Sequence, residues 1–216
     1  MRKGLTELVF ILDRSGSMRG LESDTTGGFN AMIERQKKEE GEAYVSTVLF
    51  DDVSEVLHDR VNISDVKDLT DRDYYVRGCT ALLDAVGRAI HHIETVHRYA
   101  RSGDVPEKTV FVITTDGLEN ASREYTYDRV RAQISEKQEK GWDFLFLGAN
   151  IDAAGEAAKM GISADRAARY ECDSEGIAIN FSAVSDAVSM SRTCGLKGAS
   201  WKKSIEDDYR RRGKKR

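Results

Sequence analysis

Leu8-Val9-Phe10-Ile11-Leu12 runs directly into Asp13-Arg14-Ser15-Gly16-Ser17, and this junction decides how the chain is read. The unbroken apolar run reads as a buried strand. The strand then ends by presenting one carboxylate and two hydroxyls within five residues. Hard oxygen donors of this kind suit Mg²⁺, Mn²⁺ or Ca²⁺. Gly16 lets the backbone turn tightly, so both serines can face the point that Asp13 faces. Two more donors follow later. Thr80 comes after the turn-like Arg77-Gly78-Cys79 and opens a helical pattern, and Asp116 ends a second apolar strand containing Val110-Phe111-Val112-Ile113. Taken alone, D-x-S-x-S also describes a capped turn, because Ser and Asp side chains bond nearby backbone donors. Thr80 and Asp116 tip the reading towards a metal site.

Working outward, strands and helices alternate. A helix is expected over Glu22–Glu39, with Phe29, Met32, Ile33 and Gln36 along one side. Tyr44–Phe50 and Glu55–Val61 read as a hairpin joined at Asp51-Asp52, where a turn is favoured over a second metal site. Leu82, Val86, Ala89, Ile90, Ile93 and Val96 recur at helical spacing. Thr109–Thr115 is a strand, Tyr127–Lys140 a helix stopped by Gly141, and Phe144–Leu147 another strand. Asp152 caps a short helix that ends at Gly161. Arg166–Cys172 is a weaker strand, and Ile177, Phe181, Val184 and Val188 mark a final helix. The alternation predicts an α/β, doubly wound, mostly parallel sheet with helices on both faces and one antiparallel edge strand. Ligands on such sheets bind beyond the carboxyl ends of strands, where strand order reverses. Asp13 and Asp116 both lie at such ends, and they converge if their strands are neighbours at the reversal.

The D-x-S-x-S, T and D set resembles the metal-ion-dependent adhesion site (MIDAS) of von Willebrand factor A (VWA) domains, with all five positions filled by the expected residue types. The resemblance covers about Leu5 to Cys194 and is similar in kind to small stand-alone bacterial VWA proteins. It implies a Rossmann-like fold and a bound Mg²⁺, or Mn²⁺ or Ca²⁺, on Asp13, Ser15, Ser17, Thr80 and Asp116. It further implies that an open coordination position captures an Asp or Glu from a partner protein. Stand-alone bacterial VWA proteins often resemble adaptors for AAA+ ATPases or stress-response systems, so such a component is an implied partner.

Composition bounds the rest. The chain has 216 residues, 40% hydrophobic and 32% charged, with a single proline. This suits one globular domain, expected over residues 1–195, followed by a basic C-terminal tail over 196–216. No apolar stretch is long enough to span a membrane. Arg2 and Lys3 ahead of Leu8 mimic a signal peptide, but Glu7 interrupts the apolar region and no small-residue cleavage site follows. Cys79, Cys172 and Cys194 are odd in number and widely spaced, which favours reduced thiols and a cytoplasmic location. Residues 202–216 hold eight basic and three acidic residues, a surplus of five, which leaves −9 on the rest of a chain whose net charge is −4.

Three functions stay open. A metal-dependent interaction module is favoured, with Glu119 and Asn120 on the rim of the site, where they either select a partner or cap the next segment. A nucleic-acid-associated factor would use Arg210, Arg211, Arg212, Lys214, Lys215 and Arg216, although the bland reading of these residues is a solvated end. A metal-dependent hydrolase is less favoured. Hydrolase and nucleotide-binding motifs are missing from the sequence, and Ser15 and Ser17 have no evident histidine partner. No catalytic residue is assigned, and the chain is expected not to be an enzyme.

Overall fold

In the computed structural model, which describes residues 1–213, the expected alternation becomes six strands and six α-helices. The strands are β1 (Arg2–Asp13), β2 (Glu42–Phe50), β3 (Ser54–Asn62), β4 (Pro106–Thr115), β5 (Trp142–Ala149) and β6 (Ala167–Tyr170). The helices are α1 (Glu22–Gln36), α2 (Leu82–Tyr99), α3 (Tyr127–Glu139), α4 (Ala153–Lys159), α5 (Ser174–Thr193) and α6 (Lys203–Gly213). The strands form one sheet in the order β3-β2-β1-β4-β5-β6. Every neighbouring pair is parallel except β2 and β3, which form the antiparallel hairpin at one edge.

Side chains alternate across the sheet because successive residues of a strand point to opposite faces. Leu8, Phe10 and Leu12 join a core with Phe29, Met32 and Ile33 of α1 and Ile177, Phe181 and Val184 of α5. Val9 and Ile11 join a second core with Leu82, Val86 and Ile90 of α2 and Val130 and Ile134 of α3. Burial on both faces explains why β1 and β4 read as unbroken apolar runs. The chain winds from β1 outward through β2 and β3, then returns to place β4 on the other side of β1. The reversal therefore lies between β1 and β4, which run in register with Leu12 opposite Thr114. Asp13 closes one of these strands and Asp116 follows the last residue of the other.

Three local readings change. β1 starts at Arg2, not Leu8, because the polar Glu7 continues the strand. Its fully buried carboxylate accepts from Arg60 Nε at 2.8 Å and pairs with His97 Nε2 at 3.2 Å. α1 stops at Gln36, whose buried amide donates to Ser185 O of α5 at 2.9 Å. The third change concerns the segment expected to be a solvated basic tail. A turn at Ser200–Lys202 leads into α6, and the buried Trp201 of the turn and Ile205 of α6 both join the core shared with α5. Trp201 Nε1 donates to Asp165 O at 3.0 Å. Arg211 pairs with Glu175 and Asp208, and Arg212 pairs with Asp173, Glu175 and Asp208. Arg210 pairs with Asp207 at 3.7 Å. Acidic partners inside the chain thus engage these arginines, while Lys214, Lys215 and Arg216 lie outside the described residues.

Phe10 is 0% exposed and meets Phe29 edge-to-face with ring centroids 5.4 Å apart. Replacing Phe10 by Ala removes this contact and leaves a cavity in the core beneath α1. The loss expected is about 3–5 kcal/mol, read as a lower urea midpoint with an unchanged slope.

Candidate metal centre

The first loop is organised by Asp13. One carboxylate oxygen accepts the Ser15 N–H at 2.7 Å, and the other accepts the Thr115 hydroxyl at 2.6 Å. The first bond folds the chain into an Asx-type turn, which continues as a single 3₁₀ turn over Gly16–Met18. Ser15 and Ser17 thereby face the same point, with their Oγ atoms 3.1 Å apart. Thr80 Oγ1 lies 3.2 Å from Ser15 Oγ, and Ser17 Oγ donates to Asp116 Oδ1 at 2.5 Å. A hydrogen-bonded chain of side chains thus runs from Thr80 through both serines to Asp116, and Asp13 borders it. All five residues expected from the sequence come together, from three loops, over the reversal between β1 and β4.

The electrostatics are unusual for a plain turn. Asp13 is 2% exposed and Asp116 4%. Burial pushes the Asp13 carboxyl up to about 6, outweighing the bonds from Thr115 and Ser15. Burial likewise raises Asp116 above its ordinary value, despite its bonds to Ser17 and Cys172. Among the described residues, no Lys, Arg or His forms an ion pair with either carboxylate. Two buried, uncompensated carboxylates are costly unless a cation joins them.

The donor set fits a hard divalent ion. It comprises two carboxylates and three hydroxyls, all oxygen, and the carboxylates alone balance a charge of +2. A Cβ on Gly117 would lie 3.0 Å from Thr80 Oγ1 and 3.5 Å from Ser17 Oγ, so the glycine keeps the space beside these hydroxyls open. Among the described residues no group of three or more His, Cys, Asp and Glu side chains could hold a metal, so a zinc-type cluster is not what this centre offers.

The residues expected on the rim have structural partners. Glu119 Oε2 accepts the Leu83 N–H at 2.8 Å, while Oε1 accepts from Ala121 and Ser122. It caps α2 from outside the helix, whose own N-cap residue, Ala81, makes no side-chain cap bond. Asn120 Oδ1 accepts the Thr80 N–H at 3.0 Å, and the Asn120 N–H donates to Thr80 O at 3.0 Å. Of the two readings left open for this pair, Glu119 follows the capping one, and Asn120 fixes the backbone that carries Thr80.

Four contributors were not singled out from the sequence. Thr115 bonds Asp13 directly. The buried Tyr74 donates its hydroxyl to Asp13 O. Asp84 accepts backbone N–H groups from Arg123, Glu124 and Tyr125, which holds the loop after Asp116. Cys172 Sγ lies 3.8 Å from Asp116 Oδ2, and burial, then the nearby Asp116 charge, pushes its thiol up to about 12. Cys172 was legible in part, since it closes the expected strand Arg166–Cys172 at the same edge as Asp13 and Asp116. Tyr74 and Asp84 carry no such mark.

No protein-family model matches this chain, and no curated protein matches it either. Solved structures do. The vWF domain of the type V pili tip protein Mfa5 from Porphyromonas gingivalis matches with a TM-score of 0.60 at 9% identity, over 89% of this chain and 96% of that one. The SpRpn10 VWA domain matches with a TM-score of 0.54 at 10% identity, over 85% of this chain and 95% of that one. Proximal thread matrix protein 1 from the mussel byssus, with a zinc-occupied MIDAS motif, gives 0.58 at 15% identity over 87% of this chain. The match covers 46% of that protein, so this chain spans about half its length. At these identities the likeness is one of fold, and the fold is that of a VWA domain.

A raised carboxyl has a definite thermodynamic sign. Between its ordinary value of 3.8 and about 6, Asp13 holds more protons folded than unfolded. Its contribution to stability is therefore fully present below 3.8 and lost as pH rises through about 6. In EDTA, wild type is expected to lose up to about 3 kcal/mol relative to Asp13→Asn across this window. Saturating Mg²⁺ abolishes this loss, because the ion holds the folded carboxylate charged and binds wild type in preference to the variant. Thermal melts of both proteins against pH, with and without Mg²⁺, check this. Parallel curves in EDTA would contradict it.

Proposed function

We propose that this chain is a divalent-cation-dependent protein-interaction module with an intact MIDAS. One observation carries the reading: two buried carboxylates, at adjacent strand ends, share a point with three hydroxyls and have no cationic side chain bonded to them. Asp13, Ser15, Ser17, Thr80 and Asp116 would hold the ion, with Mg²⁺ the first choice and Mn²⁺ or Ca²⁺ served by the same donors. When bound, the ion supplies an open coordination position for a carboxylate from outside the chain. The zinc-occupied MIDAS of the byssus protein supports a divalent ion at this place in the fold.

The surroundings support binding. Leu118, next to Gly117, is 54% exposed, and Tyr75, in the loop that leads to Thr80, is 44% exposed. The proposed partner is a protein that presents an Asp or Glu, with an AAA+ ATPase or a stress-response component as the candidate class. A binding role is preferred to hydrolysis because the site's hydroxyls bond to one another and to Asp116, and none bonds to a histidine. The nucleic-acid alternative is weakened by the acidic partners of Arg211 and Arg212. The proposed setting is the cytoplasm of a bacterium. In keeping with it, the three cysteines are free, and no helix among the described residues is long and apolar enough to cross a membrane.

Affinity capture from native cytosol tests the proposal, using wild type and Asp13→Ala/Asp116→Ala, each in Mg²⁺ and in EDTA. A protein captured by wild type in Mg²⁺, and reduced to background in the other three conditions, is the expected outcome. Equal capture in all four would sink it.

A further inference from the structure

Arg14 stands between two of the metal-centre donors in sequence, yet its side chain serves neither. It is 0% exposed, and its Nε donates to Asp51 Oδ2 at 2.8 Å. Nη1 lies 2.8 Å from Glu55 Oε2, close enough for an ion pair but without hydrogen-bond alignment. Nη2 is buried with no hydrogen-bond partner. The Tyr75 ring covers the guanidinium at 5.3 Å. Asp51 is also 0% exposed and takes a second guanidinium, from Arg77 Nε at 2.7 Å, on the same oxygen.

A buried guanidinium with two of its three nitrogens poorly satisfied seeks carboxylates strongly. Two other carboxylates belong to the centre that its own loop forms, those of Asp13, which precedes Arg14 in the chain, and Asp116. Both are buried and lack a cation. An arginine that turned to them would neutralise the charge that a divalent ion requires. Only two carboxylates hold it elsewhere. Glu55 is half exposed, with 52% of its side chain in solvent, whereas Asp51 is wholly buried and hydrogen-bonded. Asp51 is thus the stronger restraint.

We propose that Asp51, helped by Glu55, latches the Arg14 guanidinium away from the metal centre and so keeps Asp13 and Asp116 available to a divalent cation. This inference rests on the metal reading given above. Asp51 is a positioning residue in this account: it touches no donor of the centre and acts through Arg14. It has a second tie to the same region, since its carbonyl accepts the Ala81 N–H at 2.8 Å next to Thr80. A backbone tie of that kind survives a side-chain substitution, which lets the two roles be separated.

The test is Mn²⁺ binding by isothermal titration calorimetry to wild type, Asp51→Asn, Arg14→Met and the double variant, with circular dichroism to check folding. Asp51→Asn frees Arg14 and should weaken Mn²⁺ binding by about 10- to 100-fold, the range seen when residues that support metal ligands are lost. Removing Arg14 as well should restore the affinity to within a few-fold of wild type, and Arg14→Met alone should bind at least as tightly as wild type. A double variant as weak as Asp51→Asn would overturn the latch in favour of a simple brace, and an unaffected Asp51→Asn would overturn it outright. If Asp51→Asn does not fold, the Arg14→Met comparison decides, and weaker binding than wild type contradicts the proposal. Wild type that takes up no Mn²⁺ would instead overturn the metal reading, and this inference with it.

Discussion

Two carboxylates buried side by side, with no cationic side chain paired to either among the described residues, are the constraint on which this structure turns. Asp13 and Asp116 repel each other and have both left water. Such a pair costs free energy unless a proton or a cation neutralises part of its charge. The topology brings the pair together. β1 and β4 are neighbours only because the chain returns past β1 after building the β2–β3 hairpin. Any architecture that placed these strands apart would give two solvated turns and no centre.

Much of the polar machinery around the centre serves to hold three loops in one arrangement. Gly16 N–H donates to Gly78 O at 3.1 Å, and Arg77 N–H donates to Arg14 O at 3.0 Å, which ties the first loop to the second. Asn120 and Glu119 tie the second to the third through Thr80 and the start of α2. Tyr74 fixes the carbonyl of Asp13 itself. Hydrogen bonds in a buried network reinforce one another, so the donors are placed before any ligand arrives. Gly78 illustrates the tightness. Its φ of +66° belongs to the left-handed region, and a Cβ there would run into the Asp52 carboxylate at 1.8 Å.

How much of this was legible in the sequence depends on the distance over which each signal acts. β1 and β4 announced themselves because burial on both faces writes an unbroken apolar run, and Asp13 and Asp116 could be placed at their ends. The five residues expected as donors could be placed for the same reason, being anchored to strand ends or to a helix start, and the structure brings their side chains together. The part of β1 before Leu8 was not legible, because the partners that let Glu7 be buried, Arg60 and His97, lie 53 and 90 residues away. The helix α6 was read as a tail because its run of charge dominates the segment, while Trp201, which equally suited docking on the domain, is buried together with Ile205. Glu119 was ambiguous until the end of α2 that it caps was in view. Tyr74 sits in an irregular stretch between β3 and α2, where no periodicity exists to flag it.

The most direct test of the account is a crystal of this protein grown with Mn²⁺ and measured at the manganese absorption edge. The account predicts one anomalous peak among the oxygens of Asp13, Ser15, Ser17, Thr80 and Asp116, with Arg14 still held by Asp51. A centre without a peak, at Mn²⁺ concentrations where the ion is found elsewhere on the protein, would contradict it.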